Sequence, residues 1–157
     1  MDTSTRIIRF DDDLQVEAYQ FVGLAREFPN HFHDCYVIGL METGERRMTV
    51  NQHEYRIGPG DLLLFNPLDN HACEQIDGGG MNYRCLNIKP EVMAGVLAEV
   101  RGVEGTDLLP KFSYPLARRS ELALLTGFSD QSHFTGYFTK FTGLPPRQYQ
   151  SIFRDLP

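Results

Sequence analysis

The chain has 157 residues, with 15 Lys and Arg against 21 Asp and Glu and a net charge of −6. That length holds one full domain and a fragment of another, and no run of about 18 apolar residues is present to span a membrane. No basic, apolar leader follows Met1, and the odd set Cys35, Cys73 and Cys85 lies in strand-like runs, so the expectation is a cytoplasmic protein with reduced thiols.

Charge is divided unevenly. Residues 1–116 carry 10 basic against 18 acidic side chains, whereas residues 117–157 carry five against three. An acidic body with a mildly basic tail fits a sensing part joined to a part that approaches phosphates.

In chain order, residues 1–30 hold Leu14, Val16, Ala18, Tyr19, Phe21 and Val22, which predict one or two lead-in strands. Phe28-Pro29 ends any local helix and presents His31. Strand-forming runs follow at Tyr36–Ile38, Met48–Val50, Tyr55–Ile57, Leu62–Phe65 and Tyr83–Leu86, divided by turn residues at Gly44, Asn51, Gly58 and Pro67–Asn70. Short strands at this spacing predict a mainly β barrel or sandwich. Gly58-Pro59-Gly60-Asp61 is a tight turn, because proline fixes its own φ and glycine accepts a positive one.

Pro90 opens a helix where its missing N–H costs little, and Gly102 ends it. Its stripe of Val92, Met93, Val96, Leu97 and Val100 either covers the barrel or pairs two copies, and a homodimer is the preferred reading. Residues 103–116, with Gly105, Pro110 and Pro115, read as a linker.

His31 and His33 share one face of a predicted strand, and a turn returns His71 to the same mouth. The candidate pocket has His31, His33, Asn66, His71 and Tyr83 as polar groups, with Val37, Met48 and Phe65 as apolar wall. The competing reading is that these side chains only fill the barrel. Three convergent imidazoles can also hold a divalent metal. His53, in a polar hairpin turn, is expected to face solvent.

His31-x-His33 followed by Pro67-x-x-x-His71 resembles the two motifs of the cupin superfamily over roughly residues 20–90. The resemblance implies a double-stranded β-helix barrel. In metal-binding cupins a glutamate follows the second histidine by four residues, and here that position is Val37. No cofactor is therefore expected. A metal on His31, His33 and His71, in a cupin isomerase or dioxygenase, stands as the alternative.

The tail carries the more specific pattern. A short apolar helix ends at Gly127, Ser129 caps a second, and Phe134, Tyr137, Phe138 and Phe141 fall on one face of it. This is a predicted helix-turn-helix whose second helix enters a major groove. Asp130 suits cytosine N4 and Gln131 suits adenine, while Arg118, Arg119, Ser132 and Lys140 suit phosphates. Ser129 and Thr135 complete the candidate DNA-binding set.

Gly127-Phe-Ser-Asp-Gln-Ser-His-Phe, Tyr137-Phe138, Phe141, Gly143-Leu-Pro-Pro and Tyr149 resemble the second helix-turn-helix of AraC-type transcription regulators. The resemblance implies a non-enzymatic regulator whose N-terminal cupin domain dimerises and binds an effector, a sugar or other polar metabolite. Glycine at 136 departs from the basic residue common there. The family's first helix-turn-helix and its linking helix have no counterpart between Gly102 and Leu116. The expected organisation is therefore a ligand-binding and dimerisation domain over 1–102, a linker over 103–116 and a partial DNA-binding segment over 117–157. Such a chain reads as internally shortened near residue 116 and is expected to bind DNA weakly.

Overall fold

The computed structural model describes residues 4–76, 78–102 and 109–118. The chain divides between Ala117 and Arg118 into two units. In the first, strands β1 (Thr5–Asp11), β2 (Val16–Leu24) and β3 (Phe28–His31) lead into β4 (Tyr36–Thr43) and β5 (Arg46–Val50). Then come β6 (His53–Ile57), β7 (Asp61–Phe65), β8 (His71–Gln75) and β9 (Met81–Ile88), helix α1 (Pro90–Arg101) and strand β10 (Leu116–Arg118). Two sheets result, ordered β1-β2-β9-β4-β7-β10 and β3-β8-β5-β6.

Local chemistry explains the turns. Asn51 and Gln52 both take positive φ, which gives the β5–β6 hairpin a two-residue turn with the twist its strands need. At Gly58–Asp61 the Asp61 carboxylate accepts the Gly58 N–H at 2.9 Å, and Gly60 adopts a φ of 92°. Helix α1 starts at Pro90 and stops at Gly102, whose left-handed conformation returns its N–H to Glu99. Among the described side chains of that helix the most buried is Ala94, which is not a member of the predicted stripe.

The core lies between the sheets. Val37 and Met41 from β4, Met48 and Val50 from β5, and Leu63 and Phe65 from β7 alternate inward, as period two requires. Arg46 occupies an interior position on β5 with 0% exposure. Its guanidinium donates to the Leu24 carbonyl at 2.7 Å and the Gly79 carbonyl at 3.2 Å, tying the end of β2 to the β8–β9 connection. Gly39 on β4 is required by close approach. A Cβ there would collide with the ring and hydroxyl of Tyr83.

The stretch read as a linker is anchored at its C-terminal part. Tyr36 donates its hydroxyl to the Pro110 carbonyl at 2.6 Å, Leu64 N–H donates to the Pro115 carbonyl at 2.9 Å, and Leu116–Arg118 extends the six-stranded sheet beside β7. The partners of this segment come from β4, β7 and the residue after β7, which is why composition alone gave no sign of them. Among the described residues no helix is long and apolar enough to cross a membrane.

Candidate functional site

The sheets enclose a cavity of about 460 Å³, within the range of small-molecule sites. Of the eight side chains expected at the pocket, His31, His33, Val37, Met48, Phe65, His71 and Tyr83 line it. Asn66 does not. Its amide pairs with the backbone of Phe112, accepting from the N–H at 2.7 Å and donating to the carbonyl at 3.0 Å, and also donates to Asp69. It is a bracket for the returning chain rather than a wall residue. His53 is exposed, as expected.

The three imidazoles come together by a different route from the one expected. Strand β3 ends at His31, so His33 sits in the loop that follows and not one strand step further on. A register irregularity between Phe28 and His31 and the exposed Phe32 mark where the chain leaves the sheet. His31 is paired with His71 across β3 and β8, and their ring centroids are 4.3 Å apart. His33 lies 5.0 Å from His31 and 5.2 Å from His71, and Phe65 stacks on His71 at 4.0 Å.

Protonation follows from these surroundings. Burial holds the His71 pKa down to about 4, against the help of its bond to the Asp69 carbonyl, and the neighbouring imidazoles lower it further. Burial, and then His31, lowers His33 as well. A carbonyl can only accept, so Nδ1 carries the proton in His71, bonded to Asp69 O at 3.0 Å, and in His31, bonded to Pro29 O at 2.6 Å. Neutral His71 therefore presents an Nε2 lone pair. Backbone-fixed tautomers of this kind suit a metal site, and one ligand atom from each histidine lies within 4.8 Å of the others. The donor set fits a divalent ion held by three imidazoles, with buried Val37 standing where the cupin motif has its carboxylate.

Several lining residues went unrecognised in the sequence. Tyr19 and Phe21 on β2 alternate inward and continue an aromatic band through Phe28 to His31. Arg6 lies over the Tyr19 and Phe21 rings at 5.1 and 5.7 Å, and Arg26 lies over Phe28 at 5.8 Å. The period-two spacing of Tyr19 and Phe21 was a usable signal, but nothing local marks Arg6 or Arg26 as facing a cavity. The thiols of Cys73 and Cys85 also face it, pushed by burial to about 11 and about 12.

Of the candidate DNA-binding residues, Arg118 ends β10. Arg119, Ser129, Asp130, Gln131, Ser132, Thr135 and Lys140 lie outside the described residues.

The profile of the AraC-like ligand-binding domain matches residues 16–127. The chain belongs to that family. An uncharacterised helix-turn-helix-type transcriptional regulator of Bacillus subtilis, YbfI, is 48% identical over 122 residues, covering 78% of this chain and 43% of the relative. The chain thus spans less than half the length of that relative. Among solved structures, the Cnp3 cupin domain of Schizosaccharomyces pombe superposes with a TM-score of 0.50 at 11% identity, covering 67% of this chain and 75% of that one. A cupin superfamily protein from Desulfitobacterium hafniense gives 0.48 at 15% identity, covering 56% and 79%. The AraC-like domain here has the mainly β cupin fold.

Proposed function

We propose that this chain is a ligand-responsive transcription regulator of AraC type, in which the cavity between the sheets receives a small-molecule effector. One observation carries the reading: an AraC-like ligand-binding domain encloses a cavity with a mostly apolar interior and a few fixed polar groups. The 48% identity to a helix-turn-helix-type regulator supports DNA as the partner, as does the Gly127–Tyr149 pattern. Effector binding acts by differential affinity for two arrangements of the regulator.

A homodimer through α1 is part of this proposal, and three free thiols suit a reducing cytoplasm. So is internal shortening near residue 116, although the family match runs past that point to 127. With one helix-turn-helix per chain, half of the groove contacts of the two-unit family arrangement are missing, and binding should rest on phosphates. Titration of a labelled duplex at 50 and 200 mM salt tests this. Weak binding that collapses at the higher salt is expected. A nanomolar, salt-insensitive complex with one defined sequence would refute it.

The metal-dependent enzyme reading is weaker because Val37 replaces the carboxylate position and no carboxylate lines the cavity among the described residues. Stoichiometric iron, manganese or zinc after purification without added metal would revive it.

A further inference from the structure

The chain is acidic, yet no Asp or Glu is among the described residues that line its cavity. The lining instead includes two arginines, Arg6 and Arg26. Both are exposed, both lie over aromatic rings of the band that leads inward, and neither has a carboxylate partner among the described residues. The other arginines near acids are spent: Arg47, Arg56 and Arg84 pair with Glu54 and Glu74, Glu45, and Glu42. Glu17 stands outside the lining and is occupied, bonded by the Asn87 amide at 3.3 Å and by the Tyr19 hydroxyl.

Several hydrogen-bond donors of the interior are already committed, while the imidazole Nε2 atoms remain as acceptors. The Nδ1 protons of His31 and His71 are committed to carbonyls, the Tyr83 hydroxyl is bonded to Cys85, and Asn87 is bonded to Glu17. Deeper walls are thioether and aliphatic: Met41, Met48, Ile57, Leu63 and Met81. Sugar hydroxyls that reach these deeper walls would be desolvated without partners. An apolar body with one anionic end meets both parts of the cavity. Guanidinium is the matching group, because its planar fork takes a carboxylate by two parallel hydrogen bonds.

We infer that the effector is a small organic carboxylate with an apolar body, its acid group held at the mouth by Arg6 and Arg26 and its body buried among the methionines and aromatic rings. This rests on the effector reading above and narrows it to a charge class, away from the sugar or other polar metabolite that the family resemblance suggested.

Calorimetric titration with phenylacetate, benzoate and hexanoate, each beside its carboxamide, and with glucose, tests the inference. At least one acid should bind, ten-fold or more tighter than its amide. Arg6→Gln combined with Arg26→Gln should abolish that preference, while the Lys pair should retain part of it. Far-UV circular dichroism checks that these surface variants fold. An amide or glucose binding as tightly as the acids would overturn the charge assignment and leave the effector cavity standing. A preference that survives both Gln substitutions would overturn the role of the arginines. Silence from every acid, amide and sugar would count against the assignment and the effector reading together.

Discussion

His71 should make the domain acid-labile in a defined window. Its folded pKa of about 4 lies below the ordinary histidine value of 6.5, because burial disfavours the imidazolium. Between these limits the unfolded chain takes up a proton at residue 71 that the folded chain refuses. Stability from this group is therefore complete above pH 6.5, falls as the pH drops toward 4, and changes no further below that. At pH 5 the loss is about 1.5 units at 1.36 kcal/mol each, or about 2 kcal/mol. Urea unfolding at pH 7 and pH 5 reads it directly, with His71→Gln as the reference because glutamine can still donate to the Asp69 carbonyl. Carboxylates and His33 contribute in both proteins, so the difference of differences isolates His71. Wild type should lose about 2 kcal/mol more than the variant. Equal losses would refute the claim that His71 is held neutral.

Gly39→Ala should cost about 1–3 kcal/mol by overpacking against Tyr83, and far less in a Tyr83→Leu background; equal costs in thermal unfolding would show that Tyr83 is not the obstacle. Asn66→Ala removes both side-chain bonds to Phe112 and should speed tryptic cleavage after Lys111 several-fold, at a stability cost of about 1–3 kcal/mol. An unchanged cleavage rate would mean that Tyr36 and Leu64 hold the segment without it. Cys73 and Cys85 should resist a disulfide reagent at pH 8 in the native protein, since a thiol of pKa about 11 is ionised in only about one molecule per thousand. Mass mapping that finds Cys85 labelled as fast as in guanidinium would contradict its burial.

Much of the domain is legible from residue order because its signals are local. The Asn51-Gln52 turn, the Gly58–Asp61 turn, the alternation through β4, and the Pro90 and Gly102 ends of α1 each follow from a few neighbouring residues. The seven expected residues that line the cavity were reached through strand patterning together with the cupin-like histidine spacing. What escaped depends on partners far away in sequence. Asn66 reads as a pocket amide until Phe112 arrives beside it, and residues 110–116 read as linker until Tyr36, Leu64 and Asn66 bind them. Arg6 and Arg26 escaped for a similar reason. Exposed arginines near strand ends are common, and only the closing of β1 and β2 over the cavity distinguishes these two.

The most direct measurement places the ligand. The chain has five methionines, and Met41, Met48 and Met81 line the cavity whereas Met93 sits on α1 away from it. Methyl-labelled methionine spectra recorded during a phenylacetate titration report on both locations at once. With phenylacetate in the cavity, the Met41, Met48 and Met81 signals move together and saturate, and Met93 is unmoved. Saturable binding that leaves those three signals in place, or that moves Met93 alone, would contradict it.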